Sequence, residues 1–441
     1  MDNVLAYIDQ ASFLSFRALG RGPIIQFTWI YDQPVNRSAL QRFHRNLRLG
    51  LLSRLVERSP LPFGRHRWIS SFGPDVIDDY TIPVDKAHLH EWLDSLLELP
   101  IDPESGPGWR LAATPLLGGG TAISLLVSHS LADGIGATQA ISNAIAGRND
   151  ELSYPRANSR KFWQALRQDL YSTLRSLPEI VSTIKPVVGL LLGKRQDLAS
   201  ARKRNSPTSM LKIAETVSLP WLSVYLNEFE WDQCSDRLSG SSNSLLAGLA
   251  VRLAARLGRV DHNGWVKINA PVSVRKNNDT RANALSMVTF SIDPSRVSED
   301  LTPIRSAFKR ELMKMTNNGD STLEILPLVP FIPPSIASQL EGMVLGSEMP
   351  VGCSNIGSID PYINRPGGSD AKFLSIRIAE RLTAKILNRI GGKLFLLSCR
   401  INGQVSISIA AWQTGAVTSR ECLIRETQKA LADFGLSAVI I

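Results

Sequence analysis

The segment His129-Ser130-Leu131-Ala132-Asp133-Gly134 constrains this chain more than any other. It follows an apolar run, Thr121–Val127, and precedes a helical stretch that begins near Ile135. Upstream, Trp109–Leu117 and Thr121–His129 flank Gly118-Gly119-Gly120, so the two runs read as a hairpin. The second arm of that hairpin delivers one imidazole to a tight turn, which Asp133 and Gly134 close. A rigid strand therefore fixes the position of His129. A neutral imidazole suits the removal of a proton from a hydroxyl or amine attacking a thioester carbonyl. Its ordinary pKa of about 6.5 lies close to neutrality.

The remaining pattern mixes strands and helices on both sides of a basic middle. With 441 residues, 44% of them apolar and 20% charged, the chain is long enough for two or three globular domains. Ile24–Tyr31 reads as a strand. Asn36 or Ser38 caps a helix whose apolar face is Leu40, Phe43, Leu47, Leu51 and Leu55, ended by Pro60. A short helix carries Leu89, Trp92, Leu93, Leu96 and Leu97. Another, over 161–177, carries Phe162, Leu166, Leu170 and Leu174 and is halted by Pro178. In the second half, Leu245, Leu249, Leu253 and Leu257 mark a helix, Trp265–Arg275 a strand entering a loop, and Asn283–Asp293 a further strand. Thr302-Pro303 starts a helix with Ile304, Phe308 and Leu312. Asn402-Gly403 joins two strands in the strongest hairpin signal of the chain, and a helix over 418–434 closes the sequence. The division read from this pattern is a first domain over 1–178, a crossover over 179–215 and a second domain over 216–441, without a repeat between the halves.

Charge and cysteine usage narrow the setting. The net charge of +9 favours anionic partners: nucleic acid, anionic lipid or a phosphate-bearing cofactor such as coenzyme A. Lys194, Arg195, Arg202, Lys203 and Arg204 concentrate part of it. No zinc-finger or RNP-type motif is present, so nucleic acid fits poorly. Pro186–Gly193 is too short to span a bilayer, which takes about 20 residues. It reads as a buried helix or, with its basic flank, as a patch lying on a membrane surface. Cys234, Cys353, Cys399 and Cys422 are far apart and read as core thiols of a reducing compartment. The N-terminus carries early acid and no basic n-region, so no signal peptide is expected. The expected location is cytoplasmic, with peripheral contact at the inner membrane face as the alternative. His88 and His90 would face different ways on a helix, and no metal is expected. There is no Gly-x-Ser-x-Gly elbow, and Ser128 adjoins His129 too closely to serve it as a nucleophile.

Ile8-Asp9-Gln10-Ala11-Ser12-Phe13-Leu14, Leu99-Pro100-Ile101-Asp102 with Gly106-Pro107-Gly108-Trp109, Ser128-His129 through Asp133-Gly134, Ala270–Arg275 with Asn283, and Ser354-Asn355-Ile356-Gly357 follow one another in order. In these segments the chain resembles the bacterial wax ester synthase/diacylglycerol acyltransferase family. That family lies within the superfamily of coenzyme A-dependent acyltransferases and peptide-synthetase condensation domains. The resemblance implies an α/β fold of two chloramphenicol-acetyltransferase-like domains, each a mixed sheet backed by helices, with a tunnel between them. It implies that His129 is the general base, midway along a tunnel entered by donor and acceptor from opposite faces. The family usually has two adjacent histidines. Ser128 replaces the first, and the second, the base, is retained.

On this reading Asp133 is structural, propping the turn through an ion pair with Arg275, or else capping the following helix. Gly134 permits close approach of the backbone or a positive φ. Ser354, Asn355 and Asn283 are candidates for polar contact with the substrates. The expected activity is acyl transfer from a thioester, acyl-coenzyme A as co-substrate, to a hydroxyl of a lipid or secondary metabolite, with no bound cofactor. Two alternatives stand beside it. One is a condensation enzyme fed by an acyl-carrier protein and forming an ester or amide. The other is a degenerate, non-catalytic member that binds lipid or a partner.

Overall fold

The computed structural model describes residues 3–20, 22–148, 152–183, 216–217, 219–276, 279–318, 326–332, 349–413 and 415–441. The first half comprises helix α1 (Tyr7–Leu19), β1 (Ile24–Tyr31), α2 (Arg37–Leu47), a small hairpin of β2 (Arg54–Glu57) and β3 (Arg67–Ser70), and β4 (Asp78–Asp79). It continues with α3 (Leu89–Ser95), β5 (Trp109–Leu116), β6 (Gly120–Ser128), α4 (Gly134–Ala146) and α5 (Phe162–Arg175). The second half comprises β7 (Thr216–Val217), β8 (Trp221–Asn227), α6 (Glu228–Arg237), α7 (Ser242–Arg256), β9 (Val266–Ser273), β10 (Leu285–Ile292), α8 (Thr302–Asn318), β11 (Val351–Ser358) and β12 (Phe373–Ala379). The chain closes with β13 (Leu382–Thr383), α9 (Ala384–Arg389), β14 (Lys393–Ile401), β15 (Gln404–Trp412), α10 (Arg420–Asp433) and β16 (Val439–Ile440).

These strands build two principal sheets, ordered β12-β1-β6-β5-β4 and β10-β9-β11-β14-β15-β8-β16. Helices back each sheet, giving the expected α/β fold of two lobes. In the first lobe β6 is buried along its whole length, so its side chains on both faces are covered. Its neighbours β1 and β5 pair with it antiparallel, with Ser128 opposite Ile24 and Val127 opposite Trp109. In the second lobe Leu245, Leu249 and Leu253 of α7 pack with Ile268 of β9 and Ile407 of β15 in one core.

The boundary drawn from the sequence does not separate the sheets. Strand β12, deep in the second half, pairs with β1 from Ile24↔Ala379 to Ile30↔Phe373 and forms the edge of the first sheet. Its Arg377 carries a buried network across the junction. The Arg377 guanidinium donates to Gln26 Oε1 at 2.6 Å and Asp94 Oδ1 at 2.7 Å and lies 3.7 Å over the Trp221 ring.

Three helical expectations are also revised. The helix expected to reach Leu55 ends at Leu47, because Gly50 breaks the pattern and Leu55 belongs to β2. Helix α5 buries Ala165 and Asp169, whereas Leu170 and Leu174 of the expected apolar stripe are exposed, as is Trp163. Asp169 is held inward by Arg160 at 2.6 Å and Ser59 at 2.7 Å. Pro178 does not stop helical structure, which resumes over 177–183 with the proline in the first turn, where its missing N–H is harmless. The apolar Pro186–Gly193 segment and the basic Lys194–Arg204 cluster lie outside the described residues. Within the described residues no helix is long and apolar enough to cross a membrane. All four cysteines are free thiols, and Cys234, Cys353 and Cys399 are buried.

Helix α1 is seated by His66. The Leu5 amide donates to the His66 carbonyl at 2.9 Å, and the His66 amide donates to Gln10 Oε1 at 2.8 Å. The buried ring sits edge-on to Phe13 and accepts from the Ser59 amide at Nδ1. Burial pushes its pKa down to about 4, so the folded state holds it neutral. An unfolded chain protonates this ring below about 6.5, so stability is present above that pH and is lost as pH falls toward 4. The His66 share of that loss is expected to be about 3 kcal/mol at most. Urea unfolding from neutral pH to about 4.5 should show a smaller acid loss in His66→Gln than in the wild type.

Candidate active site

His129 lies one residue beyond the end of β6, at the junction of the lobes. Its amide donates to the Pro23 carbonyl at 3.0 Å, so the start of β1 sets where the chain leaves the sheet. The turn that follows is tied at Leu131, whose amide returns to the Ser128 carbonyl at 2.9 Å. The Ser128 amide in turn is held by the Gly108 carbonyl at 3.0 Å. A Cβ at Gly108 would lie 2.2 Å from Leu131 Cδ1, so a larger residue there would have to displace the buried Leu131 side chain. The imidazole is half-buried, and among the described residues no side chain hydrogen-bonds to it. The backbone is thus fixed while the ring nitrogens are left for other partners.

Asp133 has both roles that the sequence left open. It caps α4, with Oδ1 accepting from the Gly136 amide at 2.7 Å. Its Oδ2 accepts from Arg275 Nη2 at 2.7 Å and from the Ala284 amide at 2.9 Å. The ion pair is sealed, with the carboxylate side chain 0% and the guanidinium side chain 4% exposed. Arg275 also donates to the carbonyls of Asp279, Arg281 and Ala282. Of the two expectations for Gly134, close approach holds and a positive φ does not. A Cβ there would lie 3.1 Å from Ile356 Cδ1 of β11. Gly136, not singled out from the sequence, makes room in the same way for Arg275 Nη2 and Asp133 Oδ1.

Asn283 stands beside His129, but as a holder of backbone. Its Nδ2 donates to the His129 carbonyl at 3.3 Å and to Asp9 Oδ1 at 3.4 Å, so both its N–H groups face protein acceptors. Asp9 of α1 is completely buried and also accepts from the amides of Ala282 and Asn283, at 3.0 and 2.7 Å. Burial raises its pKa, opposed by the Arg54 cation and by these hydrogen bonds. Arg54, likewise buried, donates to the carbonyls of Leu131 at 2.6 Å and Thr280 at 2.5 Å. Asp9 lies in one of the segments that carry the family resemblance. Arg54 had no sequence signal, since only the fold brings it to the turn.

Ser354 and Asn355 diverge. Asn355 turns away from the His129 turn: its Nδ2 donates to Asn243 Oδ1 at 2.5 Å, and its Oδ1 accepts from the Gly357 amide at 2.9 Å. Ser354 falls in the middle of β11, next to the register shift that begins at Asn355.

Strand β11 also connects two cavities. One, of about 480 Å³, is walled by Ser12, Phe16 and Pro23 of the first lobe and by Pro271, Gly352 and Phe395 of the second. The other, of about 1350 Å³, is lined at Ile135, Thr138 and Arg148 around α4 and at Thr280, Ile356 and Ser358 across the junction. Gly352 and Ser358 lie about 20 Å apart along the strand, at roughly 3.3 Å per residue. The His129 turn lines neither cavity itself; it is flanked by Pro23, which walls the smaller one and accepts from the His129 amide, and by Ile135, which lines the larger. The smaller cavity is mainly apolar and the larger mainly polar. Among the described residues no group of His, Cys, Asp and Glu is placed to hold a metal.

The architecture has solved counterparts. The first condensation domain of the CDA synthetase superposes with a TM-score of 0.60 at 11% identity, over 100% of this chain and 99% of that one. The same kind of domain, from the calcium-dependent antibiotic synthetase in complex with a substrate analogue, gives 0.59 at 11% identity over 98% and 97%. F. sporotrichioides TRI101 complexed with coenzyme A and T-2 gives 0.55 at 11% identity over 100% of both chains. At such identity the likeness lies in the fold. No protein-family model matches the chain, and no curated protein sequence matches it.

The sealed ion pair makes a quantitative expectation. Asp133→Asn or Arg275→Met alone strands a buried charge and should cost about 3–5 kcal/mol of stability. The double variant should cost less than the sum of the two, by about 1 kcal/mol or more, when unfolding is followed by urea titration.

Proposed function

We propose that this protein is an acyltransferase that moves an acyl group from a thioester to a hydroxyl, with His129 as the general base. The observation that carries the proposal is an imidazole without a side-chain partner on a clamped turn whose flanking residues, Pro23 and Ile135, each line one of two unlike cavities. The larger, polar cavity suits the amide- and phosphate-rich arm of acyl-coenzyme A. The smaller, apolar cavity suits a lipid-like or secondary-metabolite alcohol. Neighbours in fold that include condensation domains and a protein complexed with coenzyme A support the same chemistry.

In the proposed step a neutral His129 ring nitrogen takes the hydroxyl proton as the oxygen attacks the thioester carbon. The tetrahedral intermediate then expels the thiolate, which recovers that proton from the imidazolium. An ester and a free thiol leave, and no acyl group rests on the enzyme. Asp133, Arg275 and Asn283 do not touch the reactants; they hold the turn so that the base is already in place. Gly134 brings the start of α4 close to β11 beside the reacting position.

Free-thiol release from a panel of acyl-coenzyme A donors, with and without alcohols, tests this reading. His129→Ala is expected to lower the rate about 10²- to 10⁴-fold. An unchanged rate would leave the chain as a binding member of the fold. Asn283→Ala is expected to lower kcat with little change in KM, because it loosens the base and not the binding cavities.

A second reading is favoured by the superposition on condensation domains: the donor arrives on a carrier protein. Turnover with the same acyl group on coenzyme A and on a phosphopantetheinylated carrier separates the two. Placement in the wax-ester branch is a finer proposal, which rests on the sequence resemblance and on the acceptor found.

A further inference from the structure

Besides Arg275, already paired with Asp133, the arginines buried as whole residues among those described are Arg54, Arg67, Arg259 and Arg377. Three of them face an acid. Arg67 pairs with Glu57, Arg377 pairs with Asp94, and Arg54 acts electrostatically on Asp9. Arg259 is 2% exposed and makes no ion pair. Its Nη1 donates to the Gly391 carbonyl at 2.8 Å and to Gln413 Oε1 at 3.2 Å, and Nη2 reaches the Pro350 carbonyl only at 3.5 Å. Its buried Nε has no partner. Of the five donors of a guanidinium, Nε–H and one N–H of Nη2 remain, and the Nε–Nη2 edge is one by which an arginine grips a carboxylate side-on. Burial lowers its pKa to about 10, which still leaves a cation at neutral pH. An uncompensated charge in this setting is costly and calls for an anion.

Arg259 lines the smaller, apolar cavity beside the His129 turn. The other cations of that wall are engaged, Lys393 with Glu380 and Arg381 with Glu98, each at 2.7 Å. We propose that this cavity selects an acceptor with an apolar body that carries a carboxylate, and that Arg259 receives the carboxylate. The assignment of the ligand as the acceptor rests on the acyl-transfer reading above. Phe16, Met287, Leu394 and Phe395 enclose the apolar body, and the hydroxyl to be acylated points toward the Pro23 side, where His129 is held.

Calorimetry with decanoate and methyl decanoate tests the anion site without turnover. The wild type is expected to bind decanoate about tenfold or more tightly than its ester, the range of a charged hydrogen bond. Arg259→Gln should bind the two alike with the ester affinity unchanged, and Arg259→Lys should keep part of the preference. Should Arg259→Gln fail to fold, Met287→Trp fills the cavity from a half-exposed position and should weaken both ligands. Equal binding by the wild type, a preference kept in Arg259→Gln, or no effect of Met287→Trp would each overturn the site. So would Arg259-dependent displacement of decanoate by coenzyme A, which would give the cation to the donor. Thiol release with ω-hydroxydecanoate and with decanediol completes the set. A carboxylate preference in binding without any thiol release removes the acyl-transfer reading and keeps the Arg259 site. Thiol release without a carboxylate preference in binding removes the Arg259 proposal alone.

Discussion

The segment 279–284 of the second lobe is held by four buried charges, and the site depends on that clasp. Every residue in it is engaged. The carbonyls of Asp279 and Arg281 accept from Arg275, and that of Thr280 from Arg54. The Ala282 carbonyl accepts from the Asp133 amide at 2.7 Å and from Arg275. The amides of Ala282 and Asn283 go to Asp9, and that of Ala284 to Asp133. Three of the four charges belong to the first lobe and one to the second, so none is fully satisfied unless the lobes meet in register. Burial makes the arrangement steep: a lost partner leaves a desolvated charge, and the penalty exceeds the gain from a typical hydrogen bond several-fold.

That clasp converts a general fold into a specific position for one imidazole. A turn at the end of β6 could take several conformations. Here its carbonyls at His129 and Leu131 accept from Asn283 and Arg54, and its last residue caps α4 while gripping Arg275. The turn is therefore held largely from outside itself, by Pro23, Gly108 and Arg54 of its own lobe and by Asn283 and Arg275 across the interface. This arrangement frees the ring from any structural duty. A base that also propped its own loop would have a nitrogen committed before substrate arrived.

The parts legible in the sequence are those whose cause is local. The limits of β1 coincide with Ile24–Tyr31, and the three-glycine hairpin and the start of α4 follow from turn chemistry. Asn402 and Gly403 take φ of 49° and 74°, the left-handed pair that a two-residue hairpin turn demands. The parts not legible have distant causes. Apolar spacing ran through Leu51 and Leu55 and suggested one helix, because a strand that buries alternate residues shares positions with a helical stripe. Nothing in Phe373–Ala379 says that its partner is β1 rather than a strand of its own half. Arg54 and Asp9 meet residues more than 200 positions away, which periodicity does not encode. Asn283 was found by resemblance, but its part in the clasp emerges only when its two acceptors are seen. For Asn355 the same signal gave a residue that faces Asn243 instead.

Ser128, which stands where the family that the sequence resembles has a histidine, can be weighed against the clasp. Its amide and carbonyl are spent on the Gly108 carbonyl and the Leu131 amide, contacts that any residue except proline would make. None of Asp9, Arg54, Asp133, Arg275 or Asn283 is joined to its side chain. The side chain is buried in a strand that is covered on both faces, where a hydroxyl needs less room than an imidazole. Exchanging histidine for serine at this position therefore changes packing next to His129 and leaves intact everything that positions its turn.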